Sequence, residues 1–274
     1  MKNKAFVDTH CHLSLMVKKN FVSSLTPDEI IKIQTIIQEA HQDHVTTVID
    51  VGTNLTESMN CIKLAQTYPG VYAVVGIHPN DCTSTWRDDF KHITALVKNK
   101  LINNIVGIGE CGLDKHYPDY NLARQQDAFR AQIELALEFD CALVVHSRDA
   151  YDETLKLLDE YKHDIKRGVM HCFSYDRAFA DHVIQHNFVL GIGGTITYPK
   201  NNELGSIVQS LDLKHIVLET DAPFLPPQAF RGKQNHPQYI ALIAAHIAEL
   251  KNESIEHVAE ITTRNAYNLF NLNS

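Results

Sequence analysis

Short apolar stretches alternate with amphipathic stretches along the whole chain. The apolar stretches are rich in β-branched residues and lack polar alternation, which is typical of parallel strands buried on both faces. Between them, apolar residues recur three or four positions apart, as on the buried side of a helix. We predict eight strands, at residues 5–7, 45–51, 71–77, 105–108, 142–145, 168–170, 188–192 and 215–218.

Several predicted helices begin at a capping signal. Residues 26–29, Thr-Pro-Asp-Glu, combine an N-cap threonine, a proline in the first turn and a glutamate three residues after the cap. Asn54, Asp149 and Ser174 are predicted to cap three later helices. The segment from residue 199 to 211 has the weakest helical pattern.

Eight buried strands alternating with helices predict a (β/α)₈ TIM barrel, and the length of 274 residues suits this fold as a single domain, residues 1–274. The alternative is an open doubly wound sheet. That fold commonly has a glycine-rich phosphate loop after its first strand, and none is found here.

Composition narrows the class of protein. Hydrophobic residues make up 44% of the chain and charged residues 21%, without an apolar run long enough to span a bilayer. Residues 1–4 lead directly into a strand without the apolar core of a signal peptide, so we expect a cytoplasmic protein whose six cysteines are reduced. The net charge of −8 argues against binding of nucleic acid by a broad basic surface. Local binding of nucleic acid through metal ions is still compatible with this charge.

Six residues of metal-ligand type occur where predicted strands end. In a barrel these strand ends form one face, where active sites are built. His10 and His12 are two residues apart, so both imidazoles point the same way from an extended backbone. The full set is His10, His12, Glu110, His146, His171 and Asp221.

Six such side chains exceed what one tetrahedral ion takes from a protein, so we predict two divalent ions, Mg²⁺, Mn²⁺ or Zn²⁺. A carboxylate can bridge two ions through its two oxygens, and Glu110 lies between the two groups in chain order. We assign His10, His12, Glu110 and Asp221 to one ion. Glu110, His146 and His171 are assigned to the other.

These residues lie in motifs that resemble the TatD family of metal-dependent deoxyribonucleases, within the amidohydrolase-like barrels. The resemblance extends over almost the whole chain and implies a two-metal barrel that hydrolyses nucleic acid phosphodiesters, with DNA as a transient substrate. The matching segments are residues 8–13, 76–79, 109–114, 145–148, 170–173, 219–225, 231–233 and 265–266.

Roles follow for individual residues. Asp221 and Glu110 are the predicted catalytic residues, with Asp221 accepting a proton from the attacking water. Glu219 is predicted to orient ligands or water from behind them, or else to form a barrel-interior ion pair. The predicted substrate contacts are Arg148, His78, Arg231 and Lys233.

Several alternatives remain open at this stage. Arg148 either meets a phosphate or pairs with a neighbouring aspartate, and Trp86 and Tyr117 either stack on bases or simply pack. Two rival functions are a metal-dependent amidase, lactonase or deacylase, and a binding protein with structural metals. Many barrels of the first kind bridge their ions with a modified lysine on strand four, where this chain has Gly109-Glu110. We expect a monomer without an obligate protein partner.

Overall fold

The computed structural model describes residues 5–18 and 23–272, so residues 1–4, on which the prediction about a signal peptide rests, lie outside it. Eight parallel strands form one sheet in which each strand pairs with the next along the chain. The strands are β1 Phe6–Cys11, β2 Val45–Val51, β3 Val71–Val75, β4 Ile105–Asp114, β5 Ala142–Arg148, β6 Gly168–Met170, β7 Phe188–Ile192 and β8 Ile216–Leu218.

Helices follow the strands and cover the outside of the sheet. They are α1 Leu13–Val17, α2 Pro27–Gln42, α3 Leu55–Thr67, α4 Trp86–Val97, α5 Leu122–Glu138, α6 Tyr151–Glu160, α7 Arg177–Gln185, α8 Asn202–Ser210, α9 Ile240–Lys251 and α10 Ile255–Phe270. Within the described ranges, none of these helices has the length and apolarity needed to cross a membrane.

Contacts between the first and last strands close the sheet into a barrel. A parallel bridge joins Cys11 to Ala222, just beyond the end of β8. The Thr9 hydroxyl donates to the Leu218 carbonyl, and the Thr220 backbone N–H donates to the Asp8 carboxylate, both over 2.9 Å. The predicted single-domain (β/α)₈ barrel is therefore confirmed, and the open sheet is wrong.

Two apolar cores hold the barrel together. The larger core lies between the strands and the surrounding helices and includes Phe129, Ile133 and Phe179. The second core contains valines of the strands, such as Val74 and Val144, together with the end of α10. Burial of these fully apolar strands on both faces explains why they lack polar alternation.

The capping predictions are half right. Thr26 and Glu29 form the predicted capping box, and the Asn54 side chain accepts from the Glu57 N–H. The caps at Asp149 and Ser174 are wrong. Helix α6 begins after Ala150 without a side-chain cap, and the cap of α7 is Asp176, whose carboxylate accepts from the Phe179 N–H.

Three strands are longer than predicted, and the first of them, β1, continues past Val7 to Cys11. β4 continues past Glu110 to Asp114, and β5 continues past His146 to Arg148. Pairing between Gly112 and His146 carries both strands beyond the apolar run from which we predicted their ends. The error arises because backbone pairing, rather than side-chain hydrophobicity, maintains the strand where it borders an aqueous cavity.

Candidate metal centre

The six predicted ligands converge at the carboxyl end of the barrel. His10 lies in β1 and His12 directly after it, whereas Glu110 and His146 lie within β4 and β5. His171 and Asp221 follow β6 and β8. Glu110, thought from the sequence to end its strand, is instead in the interior of β4. Its side chain nevertheless reaches the same face of the barrel as the histidines.

One group of donor atoms surrounds oxygen Oε2 of Glu110. The Nε2 atoms of His10 and His12 are 3.2 Å apart, and they lie 3.4 and 3.8 Å from Glu110 Oε2. Oδ1 of Asp221 lies 3.9 Å from His10 Nε2 and 3.5 Å from His12 Nε2. Ligands at 2.0–2.1 Å from a tetrahedral ion are about 3.3 Å apart, so this spacing fits a divalent ion.

A second group surrounds the other oxygen of Glu110. Oε1 lies 2.9 Å from His146 Nδ1, 3.7 Å from His171 Nε2 and 3.5 Å from His78 Nε2. The two oxygens of one buried carboxylate thus face two different sets of imidazoles, the geometry that a bridge between two ions requires. Glu110, His146 and His171 have donor atoms within 4.8 Å of one another.

Asp114 belongs to the same cluster, although no role was predicted for it. Its Oδ2 lies 3.1 Å from His146 Nε2 and accepts from the Asn80 side chain over 2.9 Å. With His78 and His146 it forms a further group of potential metal ligands. The alternation that points His10 and His12 one way also applies to Glu110 and Asp114. Asp114 lies six residues beyond the apolar run that predicts β4, so the sequence pattern alone does not place it on the strand.

The protonation states of these groups follow from their mutual charge. Burial opposes charge on His171, but the carboxylates of Glu219, Glu110 and Asp221 outweigh it and raise its pKa to about 10. Burial raises the pKa of Glu110 and Asp221, yet the surrounding imidazoles, His78 and His171 foremost, lower that of Glu110 well below its usual value. His171, His12 and His10 lower the pKa of Asp221 in the same way. The charged forms of His171 and of the carboxylates Glu110 and Asp221 therefore stabilise one another inside the barrel.

His12 is oriented by a backbone contact. Its Nδ1 lies 2.7 Å from the Val51 carbonyl, close enough to donate to it. A neutral ring with its proton on Nδ1 presents the lone pair of Nε2 to the cluster, which is the tautomer that a metal ligand needs.

Glu219 lies behind His171, fully buried. Its Oε1 is 3.1 Å from His171 Nδ1 and accepts from the Cys172 N–H over 2.6 Å. Space for this carboxylate exists because residue 191 is glycine: a Cβ there would lie 2.1 Å from Glu219 Oε2. Glu219 therefore forms an ion pair with His171 inside the barrel, and this contact also fixes the orientation of the His171 ring.

A cavity of about 600 Å³ opens above the cluster. Arg148 and Tyr117 line its wall, as do the exposed side chains of Phe224 and Leu225. Among residues 5–18 and 23–272, Arg148 has no carboxylate within 4 Å, so the alternative of an ion pair with a neighbouring aspartate is not observed. His78 also lines the cavity, beside Glu110 and His146.

Three other residues named from the sequence lie elsewhere. Arg231 and Lys233 are exposed beyond the residues found to line this cavity, where their cationic groups lie over the rings of Tyr198 and Phe230, at 4.8 and 5.8 Å from the ring centres. Their contact with substrate stays a prediction. Trp86 is 3% exposed and packs in the core, so its role is packing rather than base stacking.

Comparisons with known proteins agree with this geometry. The model of the family described as TatD related DNase matches residues 7–271. A Bacillus subtilis (strain 168) protein named uncharacterized metal-dependent hydrolase YabD is 32% identical over 97% of this chain and 99% of its own length.

Two further relatives carry the TatD name. The Citrobacter rodentium protein named 3'-5' ssDNA/RNA exonuclease TatD is 31% identical over 91% of this chain and 96% of its own length. The crystal structure of YjjV, a TatD homologue from Escherichia coli K12, has a TM-score of 0.88 and 29% identity, covering 98% of both chains. The chain thus belongs to the TatD-related DNase family, and it is a metal-dependent hydrolase on a (β/α)₈ barrel.

Proposed function

We propose that this protein hydrolyses phosphodiester bonds of DNA, removing nucleotides from the 3′ end of single strands. The observation that carries the proposal is the open cavity in which buried imidazoles and carboxylates form the floor and Arg148 part of the wall. The relative from Citrobacter rodentium, named as a 3'-5' exonuclease on single-stranded DNA and RNA, supports the polarity and the strand preference.

Two divalent ions fit the floor of the cavity. His10, His12, Glu110 and Asp221 would hold one, and Glu110, His146 and His171 the other, with Mg²⁺, Mn²⁺ or Zn²⁺ as candidates. When bound, such ions lower the pKa of a coordinated water and offset charge on phosphoryl oxygens.

Asp221 is the proposed proton acceptor for the attacking water. Its side chain is 13% exposed at the cavity, and its pKa is lowered by the nearby imidazoles, so it is ionised at neutral pH. One oxygen, Oδ1, faces His10, His12 and His171 at 3.5–3.9 Å. A carboxylate held this way keeps a second oxygen that can take up a proton.

The wall of the cavity suits a nucleotide. The Arg148 guanidinium can donate paired hydrogen bonds to phosphate oxygens, which a planar fork does better than an ammonium group. Tyr117 is 50% exposed and Phe224 49%, and exposed rings at a cavity can stack on bases of any sequence. With such local contacts to phosphates and bases, the protein can bind a nucleic acid strand without a broad basic surface, which agrees with its net negative charge.

One observation disfavours the small-molecule amidase, lactonase or deacylase. No lysine occurs in β4, whose sequence from Ile105 to Asp114 contains only carboxylates as ionisable groups apart from Cys111. The position facing both sets of imidazoles is filled by Glu110, so a modified lysine does not bridge this site.

A hydrolysis assay tests the proposal. Single- and double-stranded DNA labelled at the 5′ end are incubated with the protein and Mn²⁺ or Mg²⁺, with and without EDTA. A phenyl ester is tested in parallel as a substrate for the alternative amidase, lactonase or deacylase activity. We expect progressive shortening of the single strand, loss of activity with EDTA, and at least a hundredfold loss in Asp221→Asn.

Arg148→Gln separates substrate binding from chemistry. We expect its KM for DNA to rise about tenfold or more because one charge-assisted phosphate contact is lost. Arg177→Gln, which removes an exposed arginine on α7 paired with Asp181, is the matched control and behaves as wild type. Hydrolysis of the ester with no cleavage of DNA would overturn the proposal.

A further inference from the structure

A second cluster of ligand-type side chains lies on the outside of the barrel. Asp159 is in the last turn of α6, His182 is in the last turn of α7, and His186 directly follows α7. We call these three residues the outer cluster. The helices run opposite to the strands, so the outer cluster lies at the end of the barrel away from the cavity, and it shares no residue with the metal centre described above.

The donor atoms of the outer cluster are spaced like those of a metal site. Asp159 Oδ1 is 2.9 Å from His182 Nε2 and 3.8 Å from His186 Nδ1. The two rings are 4.6 Å apart with planes inclined by 77°, and all three donor atoms lie within 4.8 Å of one another. Ligands of a tetrahedral ion are about 3.3 Å apart, between the two measured separations.

His186 supplies a separate indication. Its Nδ1 is buried and has no hydrogen-bond partner among the described residues, although Oδ1 of Asp159 lies 3.8 Å from it. A buried polar atom without a partner is uncommon and costs free energy. Burial and the neighbouring His182 lower the pKa of His186, so its ring is neutral and offers a lone pair. A cation between His186 and Asp159 would satisfy this atom.

The surroundings carry both signs of charge. The carboxyl-terminal ends of α6 and α7 meet at the outer cluster, and the partial negative charge of helix carbonyls there favours a cation. Lys162 and His163, by contrast, are positive groups that lower the pKa of His186, and they disfavour a cation there. Binding of an ion would therefore depend on direct bonds to the imidazoles rather than on the net electrostatic potential around the outer cluster.

We propose that Asp159, His182 and His186 bind one transition-metal ion of the Zn²⁺ class, with water completing the coordination, and so join α6 to α7. Two imidazoles with one carboxylate suit Zn²⁺, Ni²⁺ or Cu²⁺, whereas Mg²⁺ prefers oxygen ligands. The proposed site is independent of the DNA-hydrolysing function.

Zinc stoichiometry tests the outer cluster. The full chain is dialysed against Zn²⁺, and bound zinc per chain is measured by mass spectrometry in wild type, Asp159→Asn and His186→Gln. We expect each variant to bind one zinc fewer than wild type, while hydrolysis supported by Mn²⁺ is unchanged because the barrel site is intact. His92→Gln, on the exposed side of α4, is the matched control and keeps the full zinc content.

Asp159→Asn keeps the experiment decisive if His186→Gln folds poorly, since Asp159 is 43% exposed and amide replaces carboxylate without a change of shape. Zinc also raises the melting temperature of wild type by more than that of Asp159→Asn. Equal zinc content in wild type and Asp159→Asn, with equal melting shifts, would overturn the proposal.

Discussion

At the scale of single residues, the proposed metal centre depends on the carboxylate of Glu110. Its two oxygens face different imidazoles, Oε2 towards His10 and His12 and Oε1 towards His146, His171 and His78. A single imidazole could not do this, because its two nitrogens point apart. Burial alone would raise the pKa of the Glu110 carboxylate, but the five histidines around it outweigh burial and lower the pKa. The buried carboxylate is therefore tolerated in its charged form.

Protons compete with metal for the same nitrogens. Burial opposes charge on His12, but Asp221 and Glu110 outweigh it and raise its pKa to about 9, beside about 10 for His171. Both rings are thus protonated in the metal-free protein near neutral pH, whereas a ligand imidazole is neutral. Burial lowers the pKa of His146, the third such ligand, but Asp114 and Glu110 outweigh burial and raise it. Binding of Zn²⁺ or Mn²⁺ near pH 7 should therefore release about two protons or more, and the affinity should fall as the pH is lowered.

Calorimetric titration in two buffers of different ionisation enthalpy counts those protons. The control is the same titration with Asp221→Asn, in which the pKa of His12 is lower and fewer protons leave. If the wild-type protein released none near pH 7, the proposed ligand roles of His12 and His171 would be wrong.

At the scale of elements, the loop after β8 positions Asp221. Asp221 has a φ of 59°, a left-handed conformation that aspartate adopts more readily than most residues. The loop is held by Asn235, fully buried, whose side-chain NH₂ donates to the carbonyls of Thr220 and Phe224, both over 2.6 Å. Asn235 was not singled out from the sequence, because its partners are backbone atoms that only the folded loop brings together.

Asn235→Ala should loosen this loop. Loss of two buried hydrogen bonds is expected to lower the free energy of unfolding by about 2 kcal/mol and to reduce hydrolysis, since Asp221 loses its fixed position. Urea denaturation and the hydrolysis rate measure the two effects. Asn268→Ala, at an exposed position on α10, should change neither, and an unaffected rate in Asn235→Ala would contradict the positioning argument.

At the scale of the whole molecule, the barrel brings together the proposed ligands from distant parts of the chain. His10 and Asp221 meet because β1 and β8 are neighbours once the barrel closes, as the Cys11–Ala222 bridge shows. Metal ions bound there would hold β1, β4, β5, β6 and β8 together through side chains. Stability of the whole barrel is thereby linked to occupancy of the centre.

Removal of metal should lower the melting temperature. A ligand at a hundredfold excess over its Kd adds about 2.7 kcal/mol, which for a chain of this size corresponds to about 5 °C or more. Differential scanning fluorimetry with Mn²⁺ and with EDTA measures the difference. Asp152→Asn, on the surface of α6, should match wild type, and Asp221→Asn should show a smaller difference. An identical melting temperature with and without metal would contradict occupancy of the centre.

Much of the fold could be predicted from local pattern. β-branched runs such as residues 45–51 and the capping box at Thr26 depend on nearest neighbours along the chain, and both are found where expected. Local pattern could not predict the ends of β4 and β5, which depend on pairing between the two strands. It also could not predict the caps of α6 and α7, which depend on the backbone conformation at Asp149 and Asp176.

By itself, the sequence determined the barrel, the family and the set of imidazoles and carboxylates at its carboxyl face, because alternation of strands and helices and short motifs are local properties. Only the tertiary structure decided which oxygen of Glu110 faces which histidine, that Asp114 joins the cluster, and that Asp159 meets His182 and His186 outside it. These are distances between side chains from separate elements, and they exist only after the chain has closed into a barrel.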